Sequence, residues 1–278
     1  MKKPREVHML IVVCIKQVPD TTQVQIDPVT NTLVREGIPF IANPYDTHAL
    51  EEALRLKDQF GLRVVAISMG PPNAEATLRK ALALGADQAI LLSDRVFGGA
   101  DTLATSNVLS AAINKLRETE EVGLVLCGKQ TIDGDTAQVG PGIATRNRYS
   151  QLTLVDLVEN LDLAKKTIRV RRKLEGRHEI VEAPLPATLT VVRELNRPRY
   201  PSVPLRLASL EQEVTLWTNE VLKLDVNGIG LKGSPTWVSR IFSPQREKGE
   251  IVGDGAKDPK GASRLLLEKL QSRDLLPV

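Results

Sequence analysis

The sequence predicts an α/β fold: a doubly wound, mostly parallel sheet to which antiparallel hairpins and a C-terminal arm are added. Two observations lead to this prediction. The first half of the chain alternates short, continuously apolar segments with stretches of helical periodicity. Continuously apolar segments are typical of strands covered on both faces, and strands that alternate with helices imply right-handed crossovers. After about Thr153 the segments become shorter and partly alternating, which indicates hairpins.

Four segments of the first half are expected to be the parallel strands. They are apolar and rich in β-branched residues, and they cover residues 10–15, 64–68, 89–92 and 124–127. Three helices are predicted between them. Asn43 followed by Pro44 is typical of a capped helix start, and Gly61 is typical of its end. Residues 73–84 and 101–116 are the two other stretches with helical periodicity.

The second half predicts smaller elements. Segments with partial alternation are expected to form antiparallel hairpins, and they are residues 152–158, 167–171, 178–181 and 187–192. Three prolines within residues 197–204 predict an extended, ordered loop. The glycines of residues 249–261 suggest a flexible linker. The leucines of residues 262–276 suggest an arm that packs on a partner chain.

Composition narrows the class of protein. The 278 residues carry 37 basic and 34 acidic side chains, for a net charge of +3, and only 3% are aromatic. This argues against a nucleic-acid binder and against a polybasic membrane binder. Two distant cysteines and three scattered histidines argue against a disulfide scaffold and a zinc site. No apolar segment has the length of a membrane span, so we expect a cytoplasmic protein without membrane insertion.

The ends of the predicted parallel strands indicate where a ligand would bind. These ends meet at one edge of a sheet, where ligands of open α/β folds bind. The loop after the fourth strand is the longest. Gly128, Gly134 and Gly140 allow close backbone approach, and Thr136 and Gln138 can donate hydrogen bonds. The helix start behind this loop would present free N–H groups to a phosphate. A glycine-rich turn with Asx caps is the alternative.

The loop after the third strand repeats the pattern. Asp101 is a predicted N-cap, and Thr102 and Thr105 lie on the first turn of the helix, where a diphosphate would meet N–H groups and two hydroxyls. A capped helix without a ligand is equally compatible with these residues. The sequence contains no Rossmann or P-loop fingerprint and no evident catalytic acid, base or nucleophile. Any chemistry would therefore come from a bound cofactor.

Five motifs make the sequence similar to a known family. They lie at residues 13–20, 43–46, 69–72, 128–138 and 193–200. With them the chain resembles the beta subunits of electron transfer flavoproteins, from about Met9 to the C-terminus. The resemblance implies a fold of the adenine-nucleotide alpha-hydrolase type and a heterodimer with an alpha subunit.

The family divides by the nucleotide that this subunit holds, which is AMP in ordinary members and FAD in electron-bifurcating ones. Residues 94–105 and 133–135, with Gly140 and Pro141, resemble the bifurcating branch. That resemblance implies an FAD that accepts hydride from NADH. One electron then goes to the FAD of the alpha subunit, toward an acyl-CoA dehydrogenase or a quinone oxidoreductase, and the other to ferredoxin or flavodoxin. The alternatives are a subunit with structural AMP and a nucleotide-binding sensor resembling universal stress proteins.

The resemblance also implies which residues form the sites. The adenosine and phosphates would be lined by the backbone of Cys14, by Asn43, Pro44, Tyr45, Asp46 and Met69, and by Gly128, Lys129, Gln130, Thr131, Ile132, Asp133, Gly134, Asp135, Thr136, Ala137, Gln138 and Val139. The diphosphate and flavin would be reached by Asp94, Gly99, Asp101, Thr102 and Thr105. A recognition loop at 193–200 would dock on partner proteins through Arg193, Leu195, Arg197 and Tyr200, with Leu195 as its exposed apolar anchor.

Two stretches depart from the family pattern. Residues 145–150 are polar or basic where the family continues an amphipathic helix, and residues 207–213 replace a lysine-rich run that some members carry. The predicted domain division places a nucleotide- and flavin-binding domain at residues 1–204, including the hairpin region 152–192. Residues 205–278 would form the C-terminal region and the partner-packing arm.

Overall fold

The computed structural model of the chain describes residues 9–20, 25–26, 33–34, 39–239 and 249–276. The chain divides into two compact units, residues 1–238 and residues 239–278. The predicted division into two domains at residue 204 stays a prediction.

The described residues contain thirteen strands. They are β1 (Met9–Cys14), β2 (Gln17–Pro19), β3 (Gln25–Ile26), β4 (Leu33–Val34), β5 (Phe40–Ala42), β6 (Arg63–Met69), β7 (Gln88–Leu92), β8 (Glu121–Gly128), β9 (Ser150–Asp162), β10 (Thr167–Leu174), β11 (Arg177–Pro184), β12 (Ala187–Val191) and β13 (Val214–Trp217). The described part of the chain also contains seven α-helices. They are α1 (Pro44–Phe60), α2 (Glu75–Leu84), α3 (Thr102–Arg117), α4 (Val139–Asn147), α5 (Val203–Glu211), α6 (Asn219–Leu222) and α7 (Pro259–Ser272).

Nine of the described strands form one sheet in the order β11-β10-β9-β12-β8-β1-β6-β7-β13. Neighbours from β9 to β13 in this order are parallel, and β10 and β11 are antiparallel additions at one end. Val12 of β1 pairs with Val65 on one side and Val125 on the other. The predicted doubly wound, mostly parallel sheet is therefore confirmed. The remaining described strands pair as the short ribbons β2–β5 and β3–β4.

Helices cover both faces of the parallel strands, and this explains their continuous apolar sequences. Ile11 and Val13 of β1 belong to a core cluster with residues of α1 and α2, while Val12 belongs to a second cluster with residues of α3 and α4. Successive residues of a strand point to opposite faces, so each apolar side chain of β1 has a packed partner layer. The three helices predicted in this half are confirmed, and Gly61 ends α1 with a positive φ of 69°.

One predicted hairpin strand is wrong. Residues 187–192 were expected to pair in an antiparallel hairpin, but β12 lies between β8 and β9 and is parallel to both. All five of its residues are buried. Thr188 and Thr190 give the segment a polar alternation that is typical of a half-exposed strand. The interior accommodates Thr190 because its hydroxyl accepts the amide hydrogen of Leu154.

The C-terminal part differs from the prediction in three places. β13 extends the parallel sheet beyond β7, which the sequence did not indicate. Helix α5 begins at Val203 with Ser202 as its cap, so the predicted extended loop ends two residues early. Pro204 fits there because the first helical turn needs no amide hydrogen from it. Helix α7 begins at Pro259, so Gly261 is helical and does not belong to a linker. Of the helices that the structure describes, none has the length and apolar content to span a membrane.

Candidate functional site

The loops predicted to bind a ligand do meet at one edge of the sheet. β1, β6, β7 and β8 are parallel, so the loops that follow them lie at their common carboxyl end. Because β12 is also parallel to β8, the loop at residues 192–200 starts at the same edge. The structure thus adds the predicted recognition loop to the four loops that the sequence placed there.

Asp46, on the first turn of α1, connects two of these loops. One carboxylate oxygen accepts the amide hydrogen of Lys16 at 2.8 Å and the other accepts that of Gly128 at 2.9 Å. Burial raises the pKa of Asp46 to about 6, although the two amide hydrogen bonds act in the opposite direction. A side chain at Gly128 would lie 2.6 Å from Oδ1 of Asp46 and 2.8 Å from the carbonyl carbon of Tyr45. Glycine is therefore required for this close approach.

Asn43 attaches the loop after β8 to the start of α1. Its Nδ2 donates to the carbonyl oxygen of Gln130 at 2.9 Å, and its Oδ1 accepts the amide hydrogen of Ile132 at 3.2 Å. Asn43 is fully buried. The prediction that its side chain caps α1 is wrong: the described residues show no side-chain cap on this helix. The side chain of Asn43 instead forms hydrogen bonds with the loop after β8. Pro44 begins the helix as predicted.

Charged and polar side chains hold the loop after β8 across the edge. The ammonium group of Lys16 pairs with the carboxylate of Asp133 at 2.6 Å, and Nε2 of Gln130 donates to Oδ1 of Asp135 at the same distance. Lys16 was not among the predicted site residues. Its position directly after the first apolar segment is the signal that would have indicated it.

The outer part of this loop is strained and open. Asp135 and Ala137 have positive φ values of 51° and 55°. A left-handed conformation costs a residue other than glycine on the order of 1 kcal/mol, and such residues concentrate at functional sites. Residues 133–138 are exposed, which leaves Gly134 and the hydroxyl of Thr136 open to solvent. Thr131, before this segment, is half-buried.

The starts of α3 and α4 lie side by side. The hydroxyl of Thr102, the first residue of α3, donates to Oε1 of Gln138, which directly precedes α4, at 2.8 Å. The two helices pack closely because Gly142 leaves room for Ser106, whose hydroxyl would be 2.8 Å from an added Cβ. No side chain caps α4 in the described structure. The first-turn N–H groups of a helix have no partner within it, so Val139 marks a start that can accept an anion.

Asp101 is the predicted cap of α3, and this prediction is confirmed. Its Oδ1 accepts the amide hydrogen of Ala104 at 3.0 Å, and its Oδ2 accepts the amide and hydroxyl hydrogens of Thr236. Burial acts to raise the pKa of Asp101, but these hydrogen bonds lower it overall. Both carboxylate oxygens are thus engaged by the protein itself.

Asp94 and Gly99 of the same loop also have structural partners. The carboxylate of Asp94 accepts amide hydrogens from Asn219 at 2.9 Å and Val96 at 3.1 Å, and these bonds lower its pKa. Gly99 has a φ of 72° and a Cβ there would lie 3.2 Å from Leu231. The half-buried hydroxyl of Thr105 makes no hydrogen bond with the rest of the described chain.

Two further predicted residues end their strands at this edge. Cys14 ends β1 and pairs with Ile67, and Met69 ends β6 half-buried. Cys14 and Cys127 are both free and buried, as expected of small apolar side chains, and burial raises the pKa of each thiol.

Tyr45 connects the loop after β8 to the predicted recognition loop. The Lys129 ammonium lies 5.2 Å and the Arg193 guanidinium 4.9 Å from the centre of its ring. Both distances are within the range of cation–π attraction. A residue of the predicted docking loop is thus in contact with a residue of the predicted cofactor site.

The predicted exposure of Leu195 is wrong. Its side chain is 6% exposed and belongs to the core cluster beneath α1. The short turn Arg193–Leu195 follows β12 directly and keeps Leu195 on the buried side. Tyr200 is instead 93% exposed, and Arg197 is exposed as well. The docking role of the loop stays a prediction.

The departure at residues 145–150 has a packing role. Nε of Arg146 donates to Oδ1 of Asn107, which connects α4 to α3. Arg148 ends α4 in the left-handed conformation, and Tyr149 is buried with Arg117 over its ring. These residues fix the pair of helices whose starts lie at the site.

Comparisons with known proteins agree with this architecture. Residues 30–222 match the model of the electron transfer flavoprotein domain. The chain is 50% identical over 262 residues to protein FixA of Azotobacter vinelandii, covering 93% of each chain. It is 48% identical to the electron transfer flavoprotein subunit beta of Clostridium acetobutylicum, over 95% of this chain and 98% of that one. It is 47% identical to subunit CarD of the caffeyl-CoA reductase-Etf complex of Acetobacterium woodii, over 96% and 100%. This chain therefore belongs to the electron transfer flavoprotein family, as a beta subunit.

Proposed function

We propose that this subunit holds an FAD at the carboxyl edge of its sheet and that this FAD accepts hydride from NADH. The observation that carries the proposal is the hydrogen bond between Thr102 and Gln138, which brings the starts of α3 and α4 together. One helix start suffices for the phosphate of a mononucleotide. Two adjacent starts offer a second set of N–H groups, and this supports a diphosphate.

The residues present fit such a ligand. Gly128 and Gly142 let the segments around this edge pack together, because a side chain at either position would collide with Asp46 or Ser106. Residues 133–138 present exposed main chain and hydroxyl groups above the edge. In this proposal the loop at residues 128–139 and Asn43–Asp46 hold the adenosine and its phosphate. Thr105 donates to the second phosphate, while the single hydroxyl hydrogen of Thr102 goes to Gln138 and holds the two helix starts together.

The flavin, when bound, supplies the two-electron and one-electron chemistry that the side chains of this site lack. The chain's own residues position it and set the charge around it. Lys16 and Asp133 form an ion pair, so their charges largely cancel, while Lys129 and Arg193 add positive charge near Tyr45. Because Tyr45 lies among the residues assigned to the adenosine and its phosphate, this positive charge would favour the negatively charged phosphate.

We further propose the electron routes of a bifurcating complex. One electron would pass to the FAD of the alpha subunit, toward an acyl-CoA dehydrogenase or a quinone oxidoreductase, and the other to ferredoxin or flavodoxin. The relative CarD is named as part of a caffeyl-CoA reductase complex, which supports a partner of the acyl-CoA class. The complex would act in the cytoplasm or at the surface of a membrane that holds the quinone reductase. The recognition loop at 193–200 would contact the partner.

A structural AMP is the second candidate, and one observation favours it. The carboxylates of Asp94 and Asp101 are taken up by protein donors, so they are not free to hold a larger ligand. The loop after β7, which contains both residues, would then only cap α3. The relatives named above give no comparable support to a stress-protein-like sensor.

An anaerobic NADH titration of the purified alpha–beta complex tests the proposal. We expect NADH to bleach the flavin absorbance, and we expect Thr102→Val to reduce the amount bleached. Thr119→Val, at the other end of α3, is the matched control, because its hydroxyl bonds only to the carbonyl of Leu116. Flavin that NADH does not reduce would contradict the proposal, as would equal bleaching in both variants.

A further inference from the structure

Residues 230–238, which we call the strap, pack on the loop that follows β7. The amide of Leu231 donates to the carbonyl oxygen of Gly98 at 2.9 Å. A side chain at Gly230 would collide with the carbonyl group of Val96, so glycine is required for this close contact. The first part of the strap is therefore in direct contact with the segment that leads into α3.

The residue that caps α3 holds the second part of the strap. The amide of Asp101 donates to the hydroxyl of Ser234 at 2.8 Å, and that hydroxyl donates to the carbonyl oxygen of Gly230 at 2.7 Å. One carboxylate oxygen of Asp101 accepts the amide hydrogen of Thr236 at 3.1 Å and its hydroxyl hydrogen at 2.8 Å. Pro235, between these two residues of the strap, restricts the backbone further.

These bonds place an exposed tryptophan beside the start of α3. Trp237 directly follows Thr236 in the strap and is 79% exposed. Tryptophan offers a large flat ring on which planar aromatic ligands stack. Because the backbone is already held at Thr236, ordering it costs little when a ligand binds. The other tryptophan of the chain, Trp217, is half-buried in β13.

The start of α3 connects the start of α4 with the strap. Thr102 bonds to Gln138 at the start of α4, and Asp101, the residue before Thr102, bonds to Thr236 of the strap. In the proposed function the adenosine and its phosphate lie at the loop before α4, and the second phosphate lies at the start of α3. The group attached to the second phosphate would then lie next to the strap.

Apolar side chains border the same place. Leu103, on the first turn of α3, and Leu231, on the strap, are exposed together with Val238. The first-turn N–H groups of α3 lie beside this apolar surface. Helix N–H groups next to an exposed apolar surface suit a ligand that joins a phosphate to an uncharged aromatic ring.

We infer that Trp237 is a binding residue for the dinucleotide, and that its indole stacks on the ring system attached to the second phosphate. The inference rests on the proposed function. Stacking of two flat rings removes apolar surface of both from water. This ring system is the isoalloxazine in FAD and is missing in AMP. Trp237 would therefore favour FAD over AMP at this edge of the sheet.

Competition between FAD and AMP for the alpha–beta complex tests the inference. The complex is equilibrated with mixtures of the two nucleotides, and the bound nucleotides are counted by chromatography after acid release. We expect half-occupancy by AMP at an AMP-to-FAD ratio about tenfold lower in Trp237→Ala than in the wild type, because stacking contributes about this factor for one ring. Trp237→Phe should shift the ratio less. Val238→Ala is the matched control, because Val238 is similarly exposed on the strap but offers no aromatic ring.

Tryptophan fluorescence gives a second readout on the same samples. A flavin that stacks on an indole quenches the emission of that indole. The emission that Trp237→Phe removes should therefore be small when the complex is loaded with FAD and larger when it is loaded with AMP. Trp217→Phe is the control, and it should remove the same emission in both states.

An unshifted ratio in Trp237→Ala would overturn the inference. A fall in total bound nucleotide at an unchanged ratio would also overturn it, because Trp237 would then act on the fold of the site. Separation of the alpha and beta subunits in Trp237→Ala at an unchanged ratio would assign the ring to a contact with the alpha subunit instead. A wild-type complex that takes up AMP but no FAD in the beta subunit would contradict the proposed function, and the stacking with it.

Discussion

Oδ1 of Asp46 accepts a hydrogen bond from the amide N–H of Gly128 at 2.9 Å. This bond joins the first turn of α1 to the end of β8, at the point where the loop of residues 128–139 begins. Since the other carboxylate oxygen accepts the amide hydrogen of Lys16, a single buried side chain fixes two of the loops at the edge of the sheet. The arrangement of the site depends on this carboxylate.

Replacing Asp46 with asparagine should therefore disrupt the site. A carboxylate accepts both amide hydrogens, whereas an amide side chain would face one of the two donors with its own N–H₂ group. Leaving a buried donor unpaired costs about 1–3 kcal/mol. We expect urea unfolding of Asp46→Asn to show a loss of this size, together with a lower nucleotide content.

Asp58→Asn is the matched control for that experiment. Asp58 lies on the same helix but is largely exposed, and its ion pair with Arg199 is of the kind that contributes little to stability. An equal loss of stability in the two variants would show that the hydrogen bonds to Lys16 and Gly128 do not account for the loss in Asp46→Asn.

The titration of Asp46 gives a pH dependence with a definite sign. Burial raises its pKa from 3.8 to about 6. The folded state then binds more protons than the unfolded state between about pH 4 and pH 6. This group therefore lowers the free energy of unfolding as pH rises through that window, by at most about 3 kcal/mol. A carboxyl-carbon NMR titration should place its midpoint near pH 6, and a midpoint near the ordinary value would refute the shift.

Thr102→Val should lower the nucleotide occupancy of this subunit while leaving its stability nearly unchanged. The substitution removes the hydroxyl that bonds to Gln138 but keeps the shape of the side chain. Chromatography of released nucleotide against protein concentration provides the measurement. Asp101→Ala is less informative, because Asp101 also caps α3 and holds Thr236. Full nucleotide occupancy in Thr102→Val would show that the start of α3 is not part of the binding site.

Leu195→Ala should destabilise the protein by about 2–5 kcal/mol, because it leaves a cavity in the core. Any loss of partner activity in this variant would accompany that destabilisation. Denaturant unfolding measures the effect. A change below about 1 kcal/mol would indicate that the side chain is not packed as described.

Two glycines of one loop should respond differently to alanine. At Gly128 an added Cβ would collide with Asp46 and with the main chain of Tyr45, whereas at Gly134 the nearest atom would be 3.6 Å away. We expect Gly128→Ala to lower the thermal unfolding midpoint strongly and to release nucleotide. Gly134→Ala should leave both nearly unchanged. Similar behaviour of the two variants would contradict the described packing.

Much of the parallel core could be predicted from the sequence, because both faces of these strands are covered. Residues 10–15 and 124–127 are continuously apolar for that reason, and the helices between the strands carry local start and stop residues such as Pro44 and Gly61. The position of β12 could not be predicted in this way. Its two threonines are buried, and their alternation indicates exposure that the fold does not give them.

The site was predictable at the level of loops and less so at the level of side chains. Strand ends identify which loops share an edge, but hydrogen-bond partners depend on packing between distant segments. The side chain of Asn43 thus bonds to the loop after β8 and does not cap α1. The carboxylate of Asp94 accepts the amide hydrogen of Asn219, 125 residues further along the chain. The burial of Leu195 likewise depends on β12 lying inside the sheet.

The most direct test is the nucleotide content of the purified alpha–beta complex, measured by acid extraction and chromatography against protein concentration. Binding of a dinucleotide flavin by this subunit predicts two FAD molecules per complex and no AMP. One FAD with one AMP, or a complex without nucleotide in the beta subunit, would contradict it.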